Sequence, residues 1–358
     1  MSDALDSLVI GAGQAGLAAS YFLRQRGVDH VVLDANPHPG GAWQHRWDSL
    51  GMHDVHGVAD LPGSVAPERS EQPANVVVPD YFAGYERLHD LPVLRPVRVE
   101  RVESDGDLLV VRAGDRAGDR TWRTRTLVNA TGTWTRPFVP FYPGIESFAG
   151  EQVHTAHYPG VEHLLGKRVL VVGGGASAVQ LLGELAPVTD TLWVTRRPPV
   201  WRDGLDAAAG LAAVTAVEER VRRGLPPASV VSVTGLSLRP QEQEAARRGA
   251  YERLPMFARI EPDGVRWSDG RFERLDVILW ATGFRPAVDH LAPLGLRTPQ
   301  GGIALVPLPG NVQGATTTVV DPRVQLVGYG PSASTIGASR AGRAAAAAVV
   351  RRLADAAA

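Results

Sequence analysis

A chain of 358 residues, 44% hydrophobic and 21% charged, has room for two domains of roughly 150–200 residues, each with a sizeable core. Its 37 Lys and Arg against 38 Asp and Glu leave a net charge of −1, which gives no support to a nucleic-acid or anionic-membrane partner. Cysteine is absent, so disulfides, thiolate metal sites and redox dithiols are excluded, and electrons must move through bound cofactors. A reducing cytoplasm is the expected setting. There is no long apolar run of membrane-spanning length, and the N-terminus enters a strand without a basic-then-apolar leader.

The first element, Leu8–Ile10, reads as a short strand buried on both faces. It runs into Gly11-Ala12-Gly13-Gln14-Ala15-Gly16, a glycine-rich loop that opens a helix over about Gln14–Arg26, with Gly27 as its C-terminal stop. In such a loop Gly11 permits the tight turn, Gly13 lets the backbone approach a pyrophosphate, and Gly16 lets helix and strand pack closely. The helix N-terminus adds free N–H groups and the positive end of its dipole. A second strand, His30–Leu33, ends in Asp34-Ala35 about 20 residues beyond the loop, where an acid can accept both ribose hydroxyls.

Pro79–Leu88 reads as a helix with Tyr81, Phe82, Tyr85 and Leu88 at helical spacing, a pattern that suits core better than a substrate box. Alternating segments at about Val97–Val102, Asp107–Arg112 and Thr121–Leu127 suggest a small antiparallel sheet, with Gly114–Arg120 as a solvated turn. A further strand, Arg168–Val172, opens a second loop, Gly173-Gly174-Gly175-Ala176-Ser177, and a helix over Ala176–Leu185. The strand that follows, Thr191–Val194, ends in Thr195-Arg196-Arg197, and no acid stands where Asp34 stood. A ribose hydroxyl wants a carboxylate, whereas a 2′-phosphate wants guanidinium groups, so NADP(H) is favoured over NAD(H). Two arginines on a solvated strand end is the plainer reading.

Asp203–Gly224 reads as an amphipathic helix inserted in this second fold and stopped by Pro226-Pro227. A hairpin follows, Gly264–Trp267 and Phe272–Leu275 across Ser268-Asp269-Gly270, then a strand at Val277–Trp280. The chain closes with a strand at Gln325–Val327, a tight turn at Gly328-Tyr329-Gly330-Pro331 and a helix over Ser339–Leu353. Two dinucleotide folds in one chain can hold two dinucleotides, which is how a flavin takes a hydride from a nicotinamide.

Four motifs carry a resemblance. Phe148-Ala149-Gly150-Glu151-Gln152-Val153-His154-Thr155-Ala156-His157-Tyr158 fits F-x-G-x-x-x-H-x-x-x-Y at every fixed position, and Gly40-Gly41-Ala42-Trp43 fits G-G-x-W. Ala130-Thr131-Gly132 and Trp280-Ala281-Thr282-Gly283-Phe284 fit two A-T-G motifs. The chain resembles the flavin-containing monooxygenases, in particular the compact bacterial members and the plant indole-3-pyruvate monooxygenases of the YUCCA type. The resemblance implies an α/β fold of two Rossmann-like dinucleotide-binding domains, one for FAD and one for NADP, the second inserted in the first. The expected boundaries are 1–158 and 288–358 for the FAD domain and 159–287 for the NADP domain.

The resemblance also implies cofactor contacts. FAD would meet Gly11, Gly13, Gln14, Ala15, Gly16, Asp34, Ala35, Gly41, Ala42, Trp43, His53, Val99, Ala130, Thr131, Gly132 and Gly330. NADP(H) would meet Gly173, Gly175, Ala176, Ser177, Thr195, Arg196, Arg197, Ala281, Thr282 and Gly283. Phe148, Gly150, His154 and Tyr158 would hold the segment that leads into the second fold. In the mechanism so implied, NADPH reduces FAD, O₂ adds at flavin C4a, and an oxygen atom passes to a small organic substrate. His53 is the candidate catalytic residue, where many members place asparagine. A proton donor at the flavin edge and a satisfied core histidine are both open readings for it, with Asp54 and His56 as fallbacks.

His53, His56, His154 and His157 lack the carboxylate or H-E-x-x-H pattern of a metal site, and no G-x-S-x-G elbow is present. The expected partners are a small-molecule substrate and O₂, in a monomer or homodimer. N- or S-oxidation and 2-oxo acid decarboxylation rank ahead of Baeyer–Villiger insertion, whose fingerprint usually has Trp where Tyr158 stands. An NADPH:acceptor reductase or oxidase, and a nucleotide-binding module without catalysis, are the competing readings.

Overall fold

The computed structural model describes residues 4–55, 58–115, 118–201, 207–227, 236, 238–307 and 315–357. The chain divides into two compact units: Met1–Gly132 with Leu211–Val230 and Pro286–Ala358, and Thr133–Gly210 with Val231–Arg285. The architecture is α/β with parallel sheets in both units.

The first unit begins with β1 (Leu5–Ile10), α1 (Gln14–Arg24) and β2 (His30–Leu33), a crossover whose two strands pair in parallel. Leu8, Val9, Val32 and Leu33 are fully buried, as a central parallel strand covered on both faces requires. α2 (Ala74–Leu88) starts earlier than the sequence suggests and carries Pro79 inside it. The ring packs against Gly40, where a Cβ would lie 2.7 Å from Pro79 Cγ. A short β3 (Val93–Leu94) extends the sheet beyond β2.

β4 (Arg98–Asp105), β5 (Leu108–Asp115) and β6 (Gly118–Asn129) form an antiparallel meander. The repeated Gly-Asp-Arg stretch expected to be a turn instead continues both strands, since Gly114 pairs with Asp119 and Asp115 with Gly118. Cross-strand pairing therefore outweighs the turn-like composition there. β6 is the spine of the unit. Its first half pairs with β5, while its second half lies parallel to β1, with Asn129 level with Ile10.

In the second unit β7 (Glu151–His154), β8 (Arg168–Val172), α3 (Ala176–Leu185) and β9 (Asp190–Val194) come in order. They are followed by α4 (Ala207–Arg222), α5 (Pro240–Arg247) and β10 (Arg253–Leu254). β11 (Arg259–Glu261), β12 (Gly264–Arg266) and β13 (Phe272–Arg274) make a small antiparallel sheet, and β14 (Val277–Trp280) returns to the main one. The main sheet has the order β10-β9-β8-β14-β7, parallel throughout. Its core joins Leu170, Val172, Val194, Ile278 and Trp280 to Ile260 and Val265 of the small sheet and to Phe257 and Trp267 beside it.

The chain returns to the first unit with β15 (Val324–Leu326), parallel to the end of β6, and α6 (Thr335–Ala357). The sequence places α4 inside the second fold; its described C-terminal half belongs to the first unit. Val221 joins the core of β1, β4, β5 and β6, and Gly224 accepts hydrogen bonds from Gly302 N and Thr298 Oγ1. α6 crosses α1 at small residues. A Cβ on Gly342 would fall 2.7 Å from Ala19 N and 2.8 Å from Ala18 Cβ.

Alanine normally improves a helix interior over glycine by about 1 kcal/mol. At Gly84 of α2 a Cβ would meet nothing within 4 Å, so Gly84→Ala should stabilise by about 0.5–1 kcal/mol. Gly342→Ala should instead destabilise by about 1–3 kcal/mol because helix and neighbour must part. Urea midpoints at an unchanged m value distinguish the two, and the same sign for both would contradict the crossing.

Candidate dinucleotide-binding sites

The first loop is built by backbone contact. Gly11 (φ +97°) donates its N–H to Leu33 O at 2.7 Å, and a Cβ there would lie 2.6 Å from Ala130 O. A Cβ on Gly16 would lie 1.8 Å from Gly11 O. Both glycines are thus demanded by the protein itself. Gly13 is different. Its φ of −81° suits any residue, and a Cβ would meet only Gly41 Cα at 3.9 Å. The packing of the protein does not require glycine there, and the open space would let a pyrophosphate approach the backbone. α1 begins there with no side-chain cap and no acid in its first turn, so its N–H groups and dipole suit an anion.

Asp34 is buried at the end of β2. Its carboxylate accepts Ala12 N at 2.6 Å and Asn36 N at 2.7 Å. About four lone-pair positions on a carboxylate leave capacity for ribose hydroxyls. Ala35 is half-buried beside it. Gly41 opens a 3₁₀ turn, Gly41–His45, that carries Ala42 and Trp43, and a Cβ on Gly41 would lie 2.8 Å from Gly13 Cα. The Arg46 guanidinium sits 5.7 Å from the Trp43 ring, and burial brings its pKa down to about 10. Gln14 and Ala15 are buried on the first turn of α1, where Gln14 Nε2 donates to Ala59 O at 2.8 Å. Gln14 Oε1 is buried with no donor among the described residues.

Ala130 N bonds Ile10 O at 2.8 Å, which holds Ala130-Thr131-Gly132 at the carboxyl end of β6 beside the loop. An unexpected chain of hydrogen bonds starts there. Thr131 Oγ1 donates to Ala287 O at 2.6 Å and so accepts from Asn129 Nδ2 at 3.0 Å. Asn129 Oδ1 then faces His290 Nε2 at 2.7 Å, and the imidazole must donate. Burial drives the His290 pKa to about 4, so the ring is neutral. Its spacing from Asn129 left no signal in the sequence.

Other expected flavin residues come from elsewhere in the chain. Val99 is half-buried next to a register shift in β4. Gly330 (φ +58°) meets α4, since a Cβ would lie 2.7 Å from Val221 Cγ2. The His53 ring is about half exposed; Nδ1 bonds Ser70 O at 3.0 Å and Nε2 lies 3.3 Å from Asp54 Oδ2. Those bonds join it to none of the loop residues. His56 lies outside the described residues.

The second loop repeats the first. Gly173 (φ +143°) donates to Val194 O at 3.0 Å, and its missing Cβ would lie 2.2 Å from Ala281 O. Gly175 (φ −109°) has nothing within 4 Å of a Cβ position. It opens α3 at Ala176 and Ser177, again without a cap or an acid in the first turn. Trp193, buried in β9, donates Nε1 to Gly173 O at 2.6 Å. Thr195 is buried and donates Oγ1 to Arg197 O at 2.6 Å. Arg196 and Arg197 are exposed, and among the described residues neither has a hydrogen-bond or ion-pair partner on its guanidinium.

Ala281 N bonds Val172 O at 2.8 Å, and Thr282 Oγ1 donates to Phe138 O. The fingerprint segment forms β7 at the edge of the main sheet. A Cβ on Gly150 would lie 2.4 Å from Asp276 O, and Phe148 is buried beside it. His154 accepts Ala156 N on Nδ1 at 3.0 Å and donates Nε2 to Gly283 O at 3.0 Å. Both nitrogens are occupied, and burial lowers its pKa, so the ring is a neutral brace between β7 and the second A-T-G. Tyr158 is buried, which raises its hydroxyl pKa.

Residues 8–225 match the family model described as Pyridine nucleotide-disulphide oxidoreductase. A flavin-containing monooxygenase from Stenotrophomonas maltophilia superposes with a TM-score of 0.82 at 39% identity, over 98% of this chain and 99% of that one. The chain belongs to the flavin-containing monooxygenase family. An indole-3-pyruvate monooxygenase of Oryza sativa subsp. japonica is 27% identical over 86% of this chain and 84% of its own length. An uncharacterized oxidoreductase of Geobacillus kaustophilus is 30% identical, with 52% of this chain aligned to 53% of that protein.

As a flavin-containing monooxygenase, the chain is an oxidoreductase with FAD and NADP(H) as cofactors. The dithiol in the broader family's description has no counterpart, because the chain holds no cysteine. The residues present fit both dinucleotides: each loop has an open glycine, Gly13 or Gly175, at the uncapped start of a helix. Among the described residues no helix is long and apolar enough to cross a membrane, and no cluster of metal-ligating side chains occurs.

Gly13→Ala should therefore leave the flavin-free fold within about 1 kcal/mol, the scale of an N-cap change, yet abolish flavin retention through gel filtration. Gly16→Ala should fail earlier, by loss of folded protein. Intact flavin content in Gly13→Ala would contradict that approach of a pyrophosphate to the backbone. A second outcome concerns pH. His290 has its pKa depressed from 6.5 to about 4 in the fold, so between those values the unfolded chain binds the extra proton and stability falls on acidification. Urea unfolding at about pH 7 and 4.5 should show wild type losing up to about 2–3 kcal/mol more than His290→Gln, the linkage worth of the shift.

Proposed function

We propose that the protein is an NADPH-dependent FAD monooxygenase that oxygenates a small organic substrate by N- or S-oxidation or by decarboxylation of a 2-oxo acid. The observation that carries this reading is the pair of open loop glycines, Gly13 and Gly175, each at the uncapped start of a helix. The oxygenation class is supported by the 39%-identical monooxygenase over the whole chain and by a relative that takes a 2-oxo acid by name.

FAD, when bound, supplies hydride acceptance from NADPH and the activation of O₂. The chain's own part is to bind, orient and keep out water. Gly11–Gly16 and the start of α1 hold one pyrophosphate, Asp34 its ribose, and Gly41–Trp43 the face next to Gly13. Gly173–Ser177 hold the second pyrophosphate, and Arg196 and Arg197 offer their exposed guanidinium groups to a 2′-phosphate. His154 positions Gly283 and moves no proton, because neither ring nitrogen is free. His53, held by Ser70 and Asp54 and half exposed, is reachable from solvent and is the group assigned to proton delivery.

Under anaerobic conditions NADPH should bleach the bound flavin. In air, with a panel of sulfides, amines and 2-oxo acids, oxygenated product should accumulate in proportion to NADPH consumed for at least one class. Stoichiometric H₂O₂ with every substrate would establish the acceptor-reductase or oxidase reading instead. Failure of NADPH to bleach the flavin would favour a nucleotide-binding module.

A further inference from the structure

The sequence puts two arginines at the end of β9, and the fold brings a third. Arg253 stands on β10, level with Trp193 of β9, and is 58 residues from Thr195. Its Nε donates to Thr195 Oγ1 at 2.8 Å and its NH2 to Thr195 O at 3.1 Å. The same hydroxyl donates to Arg197 O at 2.6 Å, so a single threonine links the Arg253 guanidinium to the backbone of the arginine pair. Thr195 also borders the glycine loop, since a Cβ on Gly174 would lie 3.6 Å from its side chain.

Several arginines of the unit are neutralised: Arg168, Arg239, Arg247, Arg248, Arg259 and Arg266 each pair with a carboxylate. Arg196, Arg197 and Arg253, like Arg271, Arg274 and Arg285, have no carboxylate partner among the described residues, and they differ from those in gathering around Thr195. Among the described residues Arg253 bonds only a hydroxyl and a carbonyl, which do not neutralise its charge and engage two of its five N–H donors. Those two bonds hold its guanidinium against Thr195, just past the carboxyl end of β9, the end of a parallel strand at which doubly wound sheets bind ligands.

We propose that Arg253 is a specificity-determining residue that contacts the 2′-phosphate of NADP(H). The proposal rests on the reading of the second loop as the NADP(H) site. The exposed Arg196 and Arg197 must be ordered when they close on a phosphate, whereas Arg253 is already fixed by two hydrogen bonds and loses less freedom per bond formed. Arg253 thereby favours the phosphorylated ribose over the free hydroxyl, while the other two add attraction that is weakened by salt.

The test uses flavin-loaded protein and isothermal titration with 2′,5′-ADP and with ADP, which lacks the 2′-phosphate. Arg253→Met keeps most of the stem and removes the charge. It should weaken 2′,5′-ADP by at least about tenfold, one charge-assisted contact, and leave ADP within about twofold. Thr195→Val keeps the arginine but frees its Nε, and should lose part of the same preference. Equal losses for both probes would reduce Arg253 to a structural tie, and unchanged binding of both would overturn the contact; either result leaves the NADP(H) reading standing if wild type prefers 2′,5′-ADP. A wild type with no such preference would overturn both. Should Arg253→Met not fold, Thr195→Val alone decides by the same comparison.

Discussion

The whole arrangement depends on one steric constraint that occurs twice. In each unit the first loop glycine turns directly under the carbonyl of the alanine in an A-T-G sequence. The missing Cβ of Gly11 would lie 2.6 Å from Ala130 O, and that of Gly173 2.2 Å from Ala281 O. Each alanine N–H bonds the last residue of the loop's own strand, Ile10 or Val172, at 2.8 Å in both cases. Strand, loop and A-T-G segment are therefore fixed as one body, and no side chain larger than hydrogen fits at the turn. Phosphate-binding geometry follows from that fit, because the loop's direction decides where the uncapped helix N-terminus points.

Electrostatics then distinguishes the two loops. The first closes on Asp34, whose carboxylate is held by two backbone N–H groups; the second closes on Thr195 and a set of arginines. One presents an acceptor to ribose hydroxyls and the other an unneutralised positive surface. The neutral His154 and His290 stiffen the same regions without adding charge. Burial lowers the pKa of both; His154 engages both ring nitrogens with backbone groups and His290 its Nε2 with an amide oxygen.

Much of this was legible in the sequence because it is local. β2, β8, α3 and β14 fall where strand and helix signals put them, and both loops and both A-T-G segments are contiguous motifs. Misreadings arose where context outweighs composition. Pro79 looks like a helix start but lies inside α2, and the Gly-Asp-Arg repeat looks like a turn but continues a hairpin. Partners far apart in the chain were invisible: Arg253 with Thr195, His290 with Asn129, and α4 with the core of the unit on the other side of the insertion. Such pairings leave no periodicity, since they are set by how sheets close and not by neighbours along the chain.

β15 pairs Leu326 with Asn129 at the end of β6. That contact spans about 200 residues, and at roughly 5–20 residues per second a ribosome needs about 10–40 s to supply the missing partner. Throughout that interval β6 has an open edge on the side β15 will occupy, and α1 lacks its cover from α6. The second unit's strands are meanwhile all synthesised. Vectorial synthesis thus favours completing the inserted unit while the host unit waits, so the nascent chain presents an apolar parallel edge to chaperones or to its neighbours on a polysome.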